Sequence, residues 1–594
     1  MLSLSSHRNL SVQACYDSIT NAITKSLSSA KQKGRVHSHH KVLSARTTAL
    51  LRKRKELQKI KHKSRPTKNK LRALFKLVNK YIRNDYESYR QCTLQKHLHS
   101  TGSTKKADKQ LRTTITWIEG LTNSGRNVIK RKDIITTATE FYKNLYSYNH
   151  TATTRSIYTH TTKDDSGITI KLIDEKEVIE TIKKLKLDKS PGSDNITNEA
   201  LKFANLILAA PIAELFNLIL KKSETPKQWS ESNIILIYKK GDPKDIGNYR
   251  PISLLPSLYK LFSTIINLRI GDVIESKQPV EQAGFRKGYS TVDHIYTLEL
   301  IIEKYREQQK PLYLAFIDYK KAFDTVTHDS VWNSLTDQGV SEVYINVIRN
   351  LYCNNIGRIK LKRLGPVFPI MRGVRQGDPL SPTIFIAILE TIFNKLNWTN
   401  FGINIQGKYL SHLRFADDIV ILSETSSQLQ LMIETLQETS ANIGLEINPT
   451  KTRLMTNSLK KQINMDGNPL EYENKYIYLG KTISFEKENN ELEIDRRIQK
   501  TWNKFWGLKE IFKSNMPTKL KTKAMNSSLL PCLTYGCQTW KFTVNVRRKI
   551  TTCQRALERS MLKLKKLDKI QCRKIRAITK ATDALSYSKK LKWK

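Results

Sequence analysis

Cysteine is scarce in this sequence: seven residues are spread over 594 positions, and none belongs to a Cys-x-x-Cys pair. An odd number of widely spaced cysteines is typical of free thiols in a reducing compartment, not of a disulfide framework. No histidine follows His412, so the four later cysteines cannot complete a zinc knuckle of the Cys-Cys-His-Cys type. A zinc site made of cysteines alone would lack the usual close pairs. We therefore expect neither a disulfide-rich secreted module nor a zinc knuckle.

Long apolar runs are also missing. The longest apolar stretch, near residues 206–220, contains Pro211, Glu214 and Asn217 and falls short of the ~20 residues that span a bilayer. The start of the chain lacks the charged segment and apolar run of a secretory signal. We therefore expect an intracellular protein of the nucleus, the cytoplasm or both, with no membrane partner.

Acidic residues are few: 54 Asp and Glu face 102 Lys and Arg, which gives a formal net charge of +48. Such an excess repels itself within a compact protein, and a polyanionic partner relieves that repulsion. The excess is clustered, because residues 41–70 hold twelve Lys and Arg against the single acid Glu56, and residues 541–594 hold eighteen against three acids. The charge therefore predicts a nucleic-acid partner.

The hydrophobic pattern divides the chain into five segments. Residues 1–110 are predicted to be a basic, helical and partly disordered arm, and residues 111–225 a helical extension. Residues 226–484 alternate short, β-rich apolar runs with helical patterns, which predicts an α+β domain. Residues 485–540 begin with an amphipathic helical stripe, and residues 541–594 are predicted to be a basic helical tail.

Two adjacent carboxylates, Asp417 and Asp418, are flanked by the apolar segments 410–415 and 419–422. This pattern predicts a hairpin with both aspartates at its tip, where their repulsion calls for a cation. Asp318 ends a third apolar segment, 312–317, about a hundred residues earlier. Three carboxylates on neighbouring strands are the ligands that two-metal nucleotidyl transfer requires, with two Mg²⁺ ions or, as an alternative, Mn²⁺.

Further candidates lie near these carboxylates. Phe323 follows Asp318 by five residues, where its ring could press on C2′ of a nucleotide sugar; the alternative is an ordinary core residue. In the segment Arg375-Gln-Gly-Asp-Pro-Leu-Ser-Pro382, Gly377 permits close approach of the backbone. Arg375 and Gln376 are candidates to contact template or nucleotide.

The segments 316–324, 375–382 and 415–418 resemble motifs A, B and C of reverse transcriptases. Other blocks resemble the non-LTR (LINE-type) retrotransposon branch: 189–195, 239–243, 248–255, 284–291, 444–451 and 478–480. The resemblance covers roughly residues 110–594. It implies a right-hand polymerase, with fingers and palm over 226–484 and a thumb over 485–540.

The resemblance also implies an RNA-directed DNA polymerase that extends a DNA primer on an RNA template with deoxynucleoside triphosphates. Asp318, Asp417 and Asp418 would be catalytic and metal-binding, and Lys451 would supply a proton to the leaving pyrophosphate. The other implied roles are nucleotide binding by Lys239, Lys240, Arg250, Phe323, Gln376 and Gly377, and template or primer binding by Arg286, Arg375, Tyr478, Arg497, Lys500 and Lys504.

Two alternatives stay open at this point, and the oligomeric state is not predicted. One is a catalytically idle, nucleic-acid-binding remnant, and the other is a group II intron or telomerase-like enzyme of the same palm type. The blocks 248–255 and 284–291 favour the LINE-type branch over the second alternative. Related elements carry an endonuclease domain before the polymerase, and nothing in residues 1–100 resembles one. We therefore expect polymerisation without nicking of a DNA target.

Overall fold

The computed structural model describes residues 11–33, 42–62, 64–102, 104–111, 118–123, 125–147 and 170–593. Parts of the predicted arm and extension, and Lys594 of the tail, lie outside these residues. The chain forms two compact units. Unit 1 comprises residues 1–33, 116–294 and 301–479, and unit 2 comprises residues 34–115, 295–300 and 480–594. Helices and sheets both occur, as an α+β fold requires.

The centre of unit 1 is a five-stranded sheet. Its strands, in spatial order, are His412–Phe415, Asp418–Ser423, Tyr313–Ile317, Arg453–Thr456 and Glu471–Tyr472. Every residue of Tyr313–Ile317 is buried, which explains its unbroken apolar sequence. Both neighbours of this strand run antiparallel to it, and Ile317 pairs with Ile419.

A second sheet of unit 1 has the order Tyr249–Leu254, Glu231–Tyr238, Ile356–Lys360 and Leu364–Pro369. Short strands pair at Leu121–Asn123 with Arg126–Val128, Ile403–Ile405 with Lys408–Leu410, and Asn464–Met465 with Asn468–Pro469. Two further strands are Lys475–Tyr478 in unit 1 and Lys481–Ser484 in unit 2.

Most helices of unit 1 share one core with the central sheet, whereas the helix Arg131–Tyr146 shares a separate core with the second sheet. The α-helices of unit 1 are Val12–Lys33, Arg131–Tyr146, Glu175–Lys184, Asn198–Phe203, Asn205–Lys222, Ser257–Lys277, Ala322–Thr325, His328–Asp337, Glu342–Tyr352, Ser381–Lys395 and Ser426–Ala441. The helix Thr291–Glu307 has its ends in unit 1 and residues 295–300 in unit 2.

The first described helix, Val12–Lys33, lies in the segment predicted to be a basic, helical and partly disordered arm. Val12, Tyr16, Ile19 and Ile23 recur every three or four residues, so they form one apolar face that is buried in the core of unit 1. The predicted arm, residues 1–110, is therefore divided between the two compact units.

Unit 2 is built mainly of helices. They are Ala45–Lys59, Arg65–Thr101, Lys105–Leu111, Asn489–Gly507, Lys509–Phe512, Thr518–Ala524, Leu530–Leu533, Val544–Met561, Cys572–Thr579 and Ala584–Lys592. The predicted apolar stripe is present, with Ile494, Phe505 and Phe512 buried in the core of this unit. Along the described ranges, no helix has the length and apolar character needed to cross a membrane.

Candidate active site

Asp417 and Asp418 lie at the tip of a β-hairpin, in the position that the sequence predicts. Phe415 pairs with Asp418, so Ala416 and Asp417 form the two-residue turn. Ala416 has a φ of 56°, a left-handed conformation that favours glycine. Such a backbone persists only where surrounding structure enforces it, and functional sites commonly contain it.

Asp318 lies beside this hairpin. It directly follows the strand Tyr313–Ile317, whose Ile317 pairs with Ile419, so Asp318 and Asp418 are at opposed positions of adjacent strands. Its backbone carbonyl accepts a hydrogen bond from the Asn448 N–H at 2.7 Å. Lys451 Nζ is 3.8 Å from Asp318 Oδ2. The fold therefore gathers the three predicted carboxylates and Lys451 at one end of the central sheet.

The electrostatics of this cluster favour a cation. Both hairpin carboxylates reach solvent, but the surrounding protein restricts their hydration. This desolvation, followed by repulsion from Asp417 and Asp318, raises the pKa of Asp418 to about 6. Desolvation likewise raises the pKa of Asp417. Lys239 and Arg250 partly offset the repulsion. Cations bound between the carboxylates would offset the remaining repulsion between them.

These residues open onto a cavity of about 560 Å³. Nine of the ten residues predicted to be catalytic or nucleotide-binding line it: Lys239, Lys240, Arg250, Asp318, Phe323, Gln376, Gly377, Asp417 and Lys451. Asp418, the tenth, adjoins them on the hairpin. Cationic side chains and carboxylates that line the same cavity suit a triphosphate that also binds metal.

Phe323 and Gly377 form part of the cavity wall. The Phe323 ring stacks on Phe385, with centroids 4.4 Å apart and an interplanar angle of 20°. Gly377 has a φ of +109°, and a Cβ there would approach the Ser253 carbonyl oxygen to 3.0 Å. The glycine is therefore needed for both its backbone conformation and its close packing.

Sequence reasoning missed the support behind the aspartate turn. The buried Gln282 Oε1 accepts hydrogen bonds from the N–H groups of Gly284 at 2.8 Å and Ala416 at 3.2 Å. A Cβ on Gly284 would lie 2.2 Å from the Ala416 nitrogen, so only glycine fits. Gly284 belongs to a block that the resemblance identified, but no local pattern links Gln282 to a turn more than a hundred residues away.

A buried ion pair supports the same hairpin. Arg414 donates to Glu390 at 2.8 Å, and both side chains are almost fully buried. The Arg414 guanidinium also lies 4.2 Å from the centre of the Phe393 ring. These contacts tie the first strand of the hairpin to the helix Ser381–Lys395.

The structure does not bring three of the predicted template- or primer-binding residues to this cavity. Arg375 is buried and donates to the carbonyls of Trp229 at 2.9 Å and Leu351 at 2.6 Å. Arg286 is ion-paired with Glu275 at 2.8 Å, and its side chain is also largely buried. Tyr478 is 3% exposed and packs near Phe316. These side chains brace the protein interior instead of facing a ligand.

Unit 2 holds the other three predicted template- or primer-binding residues, all on the helix Asn489–Gly507. Arg497 is buried and ion-paired with Glu493 at 2.5 Å, so its charge is used within the unit. Lys500 and Lys504 are exposed. The structure therefore leaves the two lysines, and not Arg497, available to a ligand.

The donor set fits Mg²⁺, which prefers carboxylate oxygens together with water and phosphate oxygens. Among the residues with described positions, no group of three or more His, Cys, Asp or Glu side chains is arranged so that it could hold a metal ion by itself. An open site of this kind needs ligands from water and from a nucleotide to complete it. Asp318, Asp417 and Asp418 are the residues that would hold the ions.

Comparison with known families identifies the central part of the chain. Residues 237–483 match the model of the family "Reverse transcriptase (RNA-dependent DNA polymerase)". A probable RNA-directed DNA polymerase from transposon BS of Drosophila melanogaster is 29% identical over 394 residues, which cover 63% of this chain and 43% of the relative. The polymerase of the mobile element jockey from the same fly is 26% identical, over 61% of this chain and 41% of the relative.

A third relative is the Pol polyprotein of the type-1 retrotransposable element R2 of Nasonia vitripennis, which is 32% identical over 40% of this chain and 23% of the relative. The chain thus spans less than half the length of these curated relatives. Among solved structures, apo telomerase from Candida tropicalis aligns at 12% identity and a TM-score of 0.34, over 66% of this chain and 73% of that one. The predicted resemblance is confirmed: residues 237–483 are a reverse transcriptase domain, and the chain is related to the RNA-directed DNA polymerases of non-LTR retrotransposons.

Proposed function

We propose that this chain is an RNA-directed DNA polymerase of a non-LTR retrotransposon, which extends a DNA primer along an RNA template. The observation that carries the proposal is the meeting of Asp318, Asp417 and Asp418 at the end of adjacent strands, beside a cavity with cationic walls. Residues 226–484 serve as fingers and palm and residues 485–540 as thumb. We expect this activity in the nucleus, the cytoplasm or both.

The three aspartates would hold two Mg²⁺ ions, with Mn²⁺ as a substitute. When bound, the ions supply Lewis acidity toward the primer 3′-oxygen and the triphosphate oxygens. Lys239, Lys240 and Arg250 orient the triphosphate and neutralise part of its charge. Lys451, 3.8 Å from Asp318, holds a proton near the departing pyrophosphate.

The sugar lies against Phe323 and Gln376 in this proposal. Phe323 is fixed by its stack on Phe385, so its ring cannot easily yield to a 2′-hydroxyl group. Gly377 lets the backbone approach the nucleotide. The pocket thereby favours deoxynucleotides over ribonucleotides.

Unit 2 binds the backbone of the primer–template through exposed cations. It has 52 Lys and Arg against 14 Asp and Glu, while unit 1 has 50 against 40. Lys500 and Lys504 contribute from the helix Asn489–Gly507. A charge excess of this size suits phosphate contacts that do not depend on base sequence.

The test is extension of oligo(dT) on poly(rA) by the purified chain in Mg²⁺ with dTTP. We expect processive incorporation that EDTA abolishes. The matched variants are Asp417→Ala in the site and Asp337→Ala, an exposed aspartate at the end of the helix His328–Asp337 that does not line the cavity. If the folded wild-type chain binds primer–template but incorporates no dTTP, the chain is a catalytically idle, nucleic-acid-binding remnant and not a polymerase.

A further inference from the structure

A second cavity of unit 1, of about 380 Å³, adjoins the nucleotide cavity, and both are lined by Gly247, Lys321 and Lys451. Four basic side chains and one carboxylate line the smaller cavity: Lys320, Lys321, Arg372 and Lys451, and Glu446. Among the described residues that line it, Leu145 is the only large apolar one and none is aromatic. This lining suits a small polyanion that carries no base.

The Lys321 ammonium lies in the wall that the two cavities share. Nζ is buried, and no hydrogen-bond acceptor among the described residues reaches it. It lies 4.6 Å from the centre of the Phe141 ring and 5.3 Å from that of Tyr142. Burial lowers the pKa of Lys321, although Asp324 and Asp245 favour the charged form. A buried ammonium without an acceptor is costly, and its flexible stem can carry it from the rings to an anion in either cavity.

Arg372 lines the smaller cavity and not the nucleotide cavity. Its Nε donates to the Leu145 carbonyl at 2.8 Å, which anchors the side chain. Within the part of the chain that the structure describes, its two terminal nitrogens have no acceptor, so their planar fork is available to a phosphate group. Lys320 pairs with Glu446 at 3.1 Å, and both side chains are exposed. Such a pair is weak, so an anion of higher charge can compete for the lysine.

Backbone contacts fix the walls of this cavity. The Asn448 N–H donates to the Asp318 carbonyl at 2.7 Å. Gly444 has a φ of +86°, and a Cβ there would lie 2.7 Å from the Thr325 carbonyl oxygen. Lys451, which lines both cavities, is 3.8 Å from Asp318. The smaller cavity therefore begins beside a proposed catalytic carboxylate.

We propose that the smaller cavity is a binding site for inorganic pyrophosphate, which holds this product after it leaves the nucleotide cavity. The inference rests on the proposed polymerase function, whose reaction releases pyrophosphate. Pyrophosphate is a polyanion without a base, as the lining requires. Lys321 and Lys451, which line both cavities, pass it from one to the other. The next deoxynucleoside triphosphate can then bind before pyrophosphate has left the protein.

The first test measures the Kd of pyrophosphate by isothermal titration calorimetry, with the full chain in metal-free buffer at physiological salt. Arg372→Gln should raise the Kd about tenfold, because charge-assisted hydrogen bonds are lost. Glu446→Gln should lower it about threefold, because it removes a carboxylate and frees Lys320. General loosening of the cavity would not give effects of opposite sign. Lys408→Gln, an exposed lysine outside both cavities, should leave the Kd unchanged.

The second test is inhibition by pyrophosphate of primer extension on poly(rA)–oligo(dT). We expect mixed inhibition against dTTP in the wild type, because the two ligands can be bound together. Arg372→Gln should become competitive, with little change in KM for dTTP. A competitive pattern in the wild type would mean that pyrophosphate occupies only the position of the triphosphate, and it would overturn the inference.

An unchanged Kd in folded Arg372→Gln would also overturn it. If that variant does not fold, Lys320→Gln decides by the same two measurements, since its side chain is exposed and lines only the smaller of the two cavities. A wild type that incorporates no dTTP would refute the polymerase function itself. An active wild type with purely competitive inhibition would refute the pyrophosphate site alone, so the two failures are distinguishable.

Discussion

The two compact units differ in how they use charge. Unit 2 accounts for most of the net positive charge, with 52 basic against 14 acidic residues, and unit 1 is closer to balance with 50 against 40. In unit 1 the decisive charges are held by specific partners, as Asp324 is held by Gln376 and Tyr146. In unit 2 many basic side chains are exposed along helices. The role of a charged residue in unit 1 therefore depends on its specific partners, whereas in unit 2 it depends on the total positive charge.

This difference predicts how each unit responds to substitution. A single change in the cavity of unit 1 should remove one irreplaceable contact. A single change on the surface of unit 2 should remove one of many similar phosphate contacts. The following predictions test that distinction, beginning with the largest effect.

Replacing Asp417 with Ala should reduce primer extension by at least about a thousandfold, because a ligand for the ions that stabilise the transition state is lost. The chain should remain folded, since Asp417 is an exposed turn residue. Extension rates and circular dichroism, measured beside Asp337→Ala, check both statements. Near wild-type incorporation by folded Asp417→Ala would show that the metal ligands lie elsewhere.

Primer–template affinity should fall steeply with salt. If about six phosphate contacts form, the dissociation constant should rise roughly a thousandfold between 50 and 200 mM salt. Four exposed lysines of unit 2, Lys53, Lys55, Lys68 and Lys76, can be changed together to Gln. Because fewer phosphates are then neutralised, the plot of log affinity against log salt concentration should become less steep. Fluorescence anisotropy across a salt series gives the measurement.

The matched control carries four exposed lysines of unit 1 as Gln: Lys176, Lys183, Lys184 and Lys186. If both sets of substitutions reduced the salt dependence of primer–template affinity equally, unit 2 would have no special role in phosphate binding. Deletion of residues 541–594 is not a clean alternative. Val546, Ile550 and Leu557 from that segment are buried in the core of unit 2, so the deletion would disturb folding as well as charge.

The sequence was informative wherever a local pattern determined the structure. The apolar segments around Asp417 and Asp418 predicted the hairpin, and the apolar run before Asp318 predicted the adjacent strand. The supports were not predictable in this way. Asp324 meets Gln376 across 52 residues, and Gln282 meets Ala416 across 134. Such pairs exist only once the chain has folded.

Two residues that were predicted to contact nucleic acid are buried in the structure. The resemblance implied contacts with template or primer for Arg375 and Arg497, but both side chains lie among protein partners. For Arg497 the sequence did contain a signal, since Glu493 precedes it by one helical turn. For Arg375 it did not, because the carbonyls of Trp229 and Leu351 approach only through tertiary packing.

Phe323→Ala should relax the selection of deoxyribonucleotides over ribonucleotides by roughly ten- to hundredfold, since space opens beside C2′ of the sugar. The comparison is kcat/KM for dTTP and UTP on the same primer–template. Phe401→Ala truncates a partly buried ring that does not line the cavity, and it controls for general loosening of unit 1. Unchanged selection in folded Phe323→Ala would make Phe323 an ordinary core residue.

The smallest expected effect concerns stability. The pKa of Asp418 is raised to about 6 by desolvation and then by Asp417 and Asp318, so the folded state favours the protonated acid. The ionised form therefore costs folding free energy at neutral pH, and this cost disappears as pH falls through 6 toward the ordinary value of 3.8. Asp418→Asn removes the cost without removing the side chain.

In metal-free buffer at pH 7.5, Asp418→Asn should therefore raise Tm by a few degrees, although it abolishes extension. The gain should shrink as pH is lowered through 6, because the wild-type carboxyl then takes up its proton. It should also shrink when Mg²⁺ is added, because ions bound by the wild type relieve the same repulsion. Differential scanning calorimetry of both proteins, with Asp337→Asn as the control, measures this. A lower Tm for Asp418→Asn at every pH would mean that the Asp418 carboxylate stabilises the fold. Its repulsion by Asp417 and Asp318 would then already be offset by cationic side chains of the protein.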